Sequence, residues 1–156
     1  MNAKKRRLVT ARLALSLAIA LVIAGALIYG ISTESLGRVW RDLLDRPGAI
    51  MTFRFILQPV MAAIAATRDA VSDVRTGRPP YSWAVLTSST GRGGRLWEGL
   101  LATGRIVILG LVMDIIYQLV ALHTFYPAEA AIIAMTLAFL PYLILRGPIT
   151  RLARWM

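Results

Sequence analysis

The sequence predicts an all-α polytopic membrane protein with four transmembrane helices and one short interfacial amphipathic helix. Three observations carry that expectation. Apolar stretches of membrane length recur at Leu13–Ile31, Arg105–Leu122 and Ala130–Leu145. The 18 Lys and Arg residues gather mostly in clusters between the apolar blocks. Hydrophobic residues make up 57% of the chain and mean hydropathy is +0.63, high for a soluble domain. At this length, residues 1–156 read as a single membrane domain.

Net charge is +10, a balance that on a soluble chain would suggest a nucleic-acid binder. A soluble binder would not leave membrane-length apolar runs between its basic clusters, so no nucleic-acid partner is expected. With no cysteine there is no disulfide, thiolate nucleophile or cysteine-held metal, and the compartment is left open.

The first span is expected over about 11–31. Its 19 uncharged residues from Leu13 to Ile31 suffice to cross roughly 30 Å of hydrocarbon. A secretory signal has a similar basic start, and Ala24-Gly25-Ala26 imitates its cleavage site. Signal cores run only about 7–15 residues, however, so an uncleaved anchor is expected. Ala14, Ala18, Ala26 and Gly30 give small-xxx-small pairs that permit close helix contact.

The interfacial helix is expected over 35–46. Leu36, Val39, Trp40, Leu43 and Leu44 fall at helical spacing, opposite Arg38, Arg41, Asp42 and Asp45. Ser35 suits its N-cap and Pro47-Gly48 ends it. Such a helix lies in the headgroup layer or packs on the rest of the protein.

The second span, 49–67, is marginal because Arg54, Gln58 and Pro59 offset its apolar residues. Charge placement favours its crossing. If it spans, the basic N-terminus, the cytoplasmic loop 68–99 and the C-terminal tail share one side, with Arg38, Arg41 and Arg46 opposite. If it does not, the tail lies outside, against the positive-inside tendency. Spanning therefore places both termini in the cytoplasm of a bacterial-type inner membrane.

The loop begins as helix carrying Arg68, Asp69, Asp73 and Arg75, with Gly77 as its stop. Arg78-Pro79-Pro80-Tyr81 must then be extended. Together with Trp40, the residues Tyr81, Trp83 and Trp97 are expected as interfacial anchors at headgroup level. The third span, 100–122, turns through HTFYPAE into the fourth, 129–146, which contains Pro141 and closes at Arg146-Gly147-Pro148. The four spans show no internal repeat.

The third span is the stretch around which the sequence looks organised, because Asp114 lies inside it. A carboxylate there must face protein or water. Counting along antiparallel helices puts Arg54 and Asp114 at one depth, roughly 9 Å below the same surface. The two should therefore pair, with Gln58, Tyr117 and Gln118 as a supporting polar face. Arg105, nine residues from Asp114, is half a turn out of phase and should snorkel to the basic side.

Such a pair either fixes helix register or lines an ion path. Asp69 and Asp73 stand at i and i+4, a spacing open to one divalent ion, but Arg68 and Arg75 beside them favour an intrahelical charge network. His123 reads as a solvated turn residue, and one histidine makes no multi-His metal site. The SSTGRGGR stretch at 88–95 lacks the Gly-Lys-Ser/Thr ending of a phosphate loop and reads as linker.

No catalytic, cofactor-binding or metal-ligating set is legible. The preferred function is a small non-enzymatic membrane component, a subunit or self-associating protein that acts through helix packing. Its expected partners are membrane lipids, including anionic headgroups, and a protein partner or second copies of itself. An oligomeric channel or transporter using the Arg54, Asp114 and Gln118 face is the alternative. A lipid-headgroup enzyme using Asp69, Asp73 and the Arg78 region comes third; it requires both aspartates to turn into one pocket.

Overall fold

The computed structural model describes residues 3–30, 37, 52–81, 85, 87 and 91–155, apart from the side chains of residues 3, 52, 54, 121 and 122. Among these are four long helices and no strand: α1 (Ala3–Tyr29), α2 (Thr52–Arg75), α3 (Arg92–Tyr117) and α4 (Pro127–Ala153). A π-helical turn, Gln118–Leu122, continues α3. Three of the helices, α1, α3 and α4, are long and apolar enough to cross a membrane. The expected interfacial helix at 35–46, with Trp40, lies outside the described residues except for Gly37, and Trp83 also lies outside.

Contacts at the two ends fix the helix directions. At one end the Tyr29 hydroxyl, on the last residue of α1, donates to the Phe125 carbonyl in the α3–α4 turn at 2.8 Å. The Tyr29 ring also lies 4.9 Å from that of Tyr126. At the other end Lys4, Arg7, Asp73, Arg78, Glu98 and Arg146 border one cleft. Accordingly α1 and α3 run one way and α2 and α4 the other. The start of the chain, the α2–α3 connection and the end of α4 meet at this basic end, the grouping that charge placement implied.

Both α3 and α4 pack on all three other helices, but α4 does so more extensively, above all on α2, whereas α1 packs on α3 and α4. The reason is composition: Ala130, Ala131, Ala134 and Ala138 bury completely and let neighbouring backbones come close. Helix α1 docks through Ala11, Ala14 and Ala18, all buried, with Gly25 one heptad further on against Ala128. The expected face holds at Ala14 and Ala18 but not beyond, since Ala26 is only half-buried and Gly30 is exposed. Gly104 of α3 completes the seam; a Cβ there would stand 3.0 Å from the Ala11 Cα.

The helices also outrun the expected spans. Gly77, at φ +67°, ends α2 with the Arg78 N–H donating to the Asp73 carbonyl at 2.9 Å, so the stop read from sequence is the observed one. At the far end of α4 the expectation fails, because the helix passes through Gly147-Pro148 to Ala153. Pro148 removes only the backbone bond toward Ile144. The Thr150 hydroxyl donates to the Arg146 carbonyl at 2.6 Å, and the Arg154 guanidinium donates to the Arg78 carbonyl, which ties the last turn down.

Candidate functional site: two buried polar clusters at opposite ends of the bundle

The first cluster surrounds Asp114 at the end away from the basic residues. Asp114 and Gln118 are one turn apart and fully buried. The Gln118 Nε2 donates to Asp114 Oδ2 at 2.8 Å, and its Oε1 accepts the Tyr126 N–H at 2.6 Å. One amide thus joins the carboxylate of α3 to the residue that precedes α4. The π-helical turn begins at Gln118, and His123, with a left-handed φ of 51°, ends it exposed in the turn. Tyr117 is half-buried at this junction.

Gln58 reaches the same helix from α2. Its Nε2 donates to the Ile106 carbonyl at 3.1 Å, and its side chain occupies the space where a Cβ on Gly110 would stand. Ile106, Gly110 and Asp114 follow one another at i, i+4 and i+8 on one face of α3. Because α2 runs antiparallel, one turn from Gln58 back toward Thr52 corresponds to one turn from Gly110 on toward Asp114. The Arg54 side chain lies outside the described residues. Arg105 is exposed on another face, as its phase required.

The second cluster was not read from sequence. Asp69 and Asp73, expected to pair within their own helix, instead cross to α4. Asp69 Oδ2 accepts the Tyr142 hydroxyl at 2.6 Å. Asp73 takes a two-pronged contact from Arg146, Nε to Oδ2 at 2.9 Å and Nη2 to Oδ1 at 3.0 Å. Tyr142 and Arg146 are themselves at i and i+4, and the Arg146 Nη1 donates to the Tyr142 hydroxyl at 2.6 Å. Both cross-helix pairs are 73 residues apart in sequence, so two parallel helices meet in matched register.

Arg95 and Glu98 of α3 extend the cluster. Arg95 Nη1 lies 3.5 Å from Asp73 Oδ1 and 3.3 Å from Glu98 Oε2, and Glu98 also meets Arg146 at 3.5 Å and Arg78 at 3.3 Å. Tyr81 plugs this assembly. Expected at headgroup level, it is instead fully enclosed by protein. Its hydroxyl donates to the Arg95 carbonyl at 2.6 Å, the Arg146 guanidinium lies 4.3 Å above its ring, and Tyr142 meets it edge-on. Gly99 makes room for the Tyr81 hydroxyl and the Tyr142 ring, which a Cβ would contact at 2.7 and 3.2 Å. Burial pushes the Tyr81 phenol up to about 12, with Arg146 opposing. Trp97, next to this group on α3, is half-buried.

Beside the cluster opens a cleft of about 300 Å³ between the first turns of α1, the last turns of α2 and the start of α3, and both Asp69 and Asp73 are in its wall. Chemically the two aspartates differ. Asp73 is neutralised by Arg146 and Arg95, whereas Asp69 commits only one oxygen, to a neutral phenol. A signal for this cluster did exist in the sequence: Asp69/Asp73 and Tyr142/Arg146 share one spacing. Compared with known protein families, curated proteins and solved structures, the chain matches none.

Proposed function

We propose that this chain is a small integral membrane protein of the bacterial-type cytoplasmic membrane that works without catalysis, as a subunit or self-associating component. In this reading all four helices cross the bilayer, both termini are cytoplasmic, and Arg54 pairs with Asp114 inside the membrane. The observation that carries it is the division between interior and surface. Interior polar groups bond to one another, while large apolar side chains point outward, Leu27 at 81% and Phe53 at 66% exposure among them. A chain in water does not leave such residues along whole helices, so lipid and neighbouring helices are their natural surroundings. Gathering of the basic residues at one end supports a cytoplasmic orientation for that end and contact with anionic headgroups.

The channel or transporter reading gains less support. Asp114 is fully buried and both ends of its Gln118 partner are engaged within the chain. The test is extraction in mild detergent after an alkaline wash of the membranes. The chain stays with the membrane fraction and elutes with a stoichiometric partner or as an oligomer of itself. A lone monomer in detergent would sink the proposal, and an ion flux abolished by Asp114→Asn with assembly intact would replace it by the channel reading.

A further inference from the structure

The cleft at the basic end has an uneven distribution of committed charge. Asp73 and Glu98 are satisfied by Arg146, Arg95 and Arg78. Lys4 and Arg7, one turn apart on the exposed start of α1, line the opposite wall, and their side chains have no hydrogen bond or ion pair among the described residues. On the α2 wall, Asp69 Oδ1 has no protein partner there either, because only Oδ2 meets Tyr142. Ser72, one turn on along the same wall, has an uncommitted hydroxyl. The uncommitted groups are thus two cations on one side and a carboxylate oxygen with a hydroxyl on the other.

We infer that this cleft binds a phosphoester whose head carries a hydrogen-bond donor, a hydroxyl or an amine, a few bonds from the phosphorus. Lys4 and Arg7 hold the phosphate by charge-assisted hydrogen bonds. Asp69 Oδ1 and the Ser72 hydroxyl accept from the head group. Inorganic phosphate fits less well, since its P–OH donors sit on the phosphorus itself and it has no head to reach from the cations to Asp69. A volume of about 300 Å³ accommodates a glycerol- or ethanolamine-phosphate head with its chains left outside. The source of that head as a membrane phospholipid rests on the membrane reading above; the binding chemistry does not.

The full chain, purified in a nonionic detergent, is titrated by calorimetry with short-chain phosphatidylglycerol, phosphatidylethanolamine and phosphatidylcholine, and separately with glycerol 3-phosphate. Phosphatidylglycerol and phosphatidylethanolamine bind about tenfold tighter than phosphatidylcholine, which has the phosphate but no donor on its head. The double change Lys4→Gln with Arg7→Gln weakens phosphatidylglycerol about tenfold. Asp69→Asn narrows the preference over phosphatidylcholine, and Ser72→Ala, which touches no bond that holds the fold, narrows it in the same direction.

Equal binding of phosphatidylcholine overturns the inference, as does unchanged affinity in the Lys4/Arg7 variant. Glycerol 3-phosphate binding as tightly as phosphatidylglycerol supports the same site with a soluble ligand, whereas binding of the lipid alone supports a bilayer ligand. Recovery of binding-competent chain from the soluble fraction would end the membrane reading and leave the cleft standing. Membrane-extracted chain that shows no preference ends the cleft alone.

Discussion

Among the described residues Arg146 joins the partners of the basic-end cluster. It satisfies both oxygens of Asp73, meets Tyr142 and Glu98, and lies over the Tyr81 ring. Removing one partner of a buried pair strands the other, so Arg146→Met should cost about 3–5 kcal/mol in thermal unfolding in detergent. The double change Arg146→Met with Asp73→Leu should recover a large part of that loss, because no charge is then left alone. Tyr81 gives a second prediction. Its phenol titrates near 10 when unfolded and near 12 when folded, so between those values the folded chain keeps a proton that the unfolded chain has lost. Its contribution to stability is complete below pH 10, falls through the interval and is gone above 12. Unfolding midpoints measured across that range should decline for the native chain, and the decline should be shallower in Tyr81→Phe. Neither residue was legible in these roles. The arginine beside Gly147-Pro148 read as a helix closing, and a tyrosine after two prolines read as a surface anchor. Both inferences used neighbours in sequence, and the partners that matter lie on other helices.

At the scale of elements the sequence was more informative. Periodicity and apolar length found α1, α3 and α4, and Gly77 marked the end of α2, because these are local properties of a backbone. Pairing of the helices was less legible. Asp114 drew attention to α3, yet the most extensively packed helix is α4, whose alanines look ordinary one at a time. The small-residue stripe on α1 was read correctly at Ala14 and Ala18 and lost its phase toward Gly30, since alanine is too common there to single out one face. What fixes the phase is the backbone approach at Gly104, and this is testable. Gly104→Leu should force α1 and α3 apart, at about 1–3 kcal/mol from overpacking. Limited proteolysis should then cut the start of α1 faster in the variant, whereas the same change at Gly93, where a Cβ meets open space, should leave the rate unaltered.

At the scale of the whole molecule, charge segregation gave the arrangement of ends that the structure has, with the chain start, the α2–α3 connection and the end of α4 together. The corresponding prediction for the membrane is direct. The chain contains no cysteine, so a single introduced cysteine reports alone. Cysteines at Lys5, Arg92 and Arg151 should all react with an impermeant maleimide only after the cytoplasmic side is opened, and one at His123 should react in intact cells. Reaction of His123→Cys and Arg92→Cys from the same side would break the proposed topology. The matched α2–α4 ladder also sets an order of events during synthesis. Asp69 and Asp73 emerge 73 residues ahead of Tyr142 and Arg146, so although Arg95 can meet Asp73 sooner, Asp69 waits for its phenol and Asp73 for its two-pronged contact until nearly the whole chain has been made. The least apolar of the four helices is therefore the one whose placement is sealed last, and completing α4 is the step that commits it.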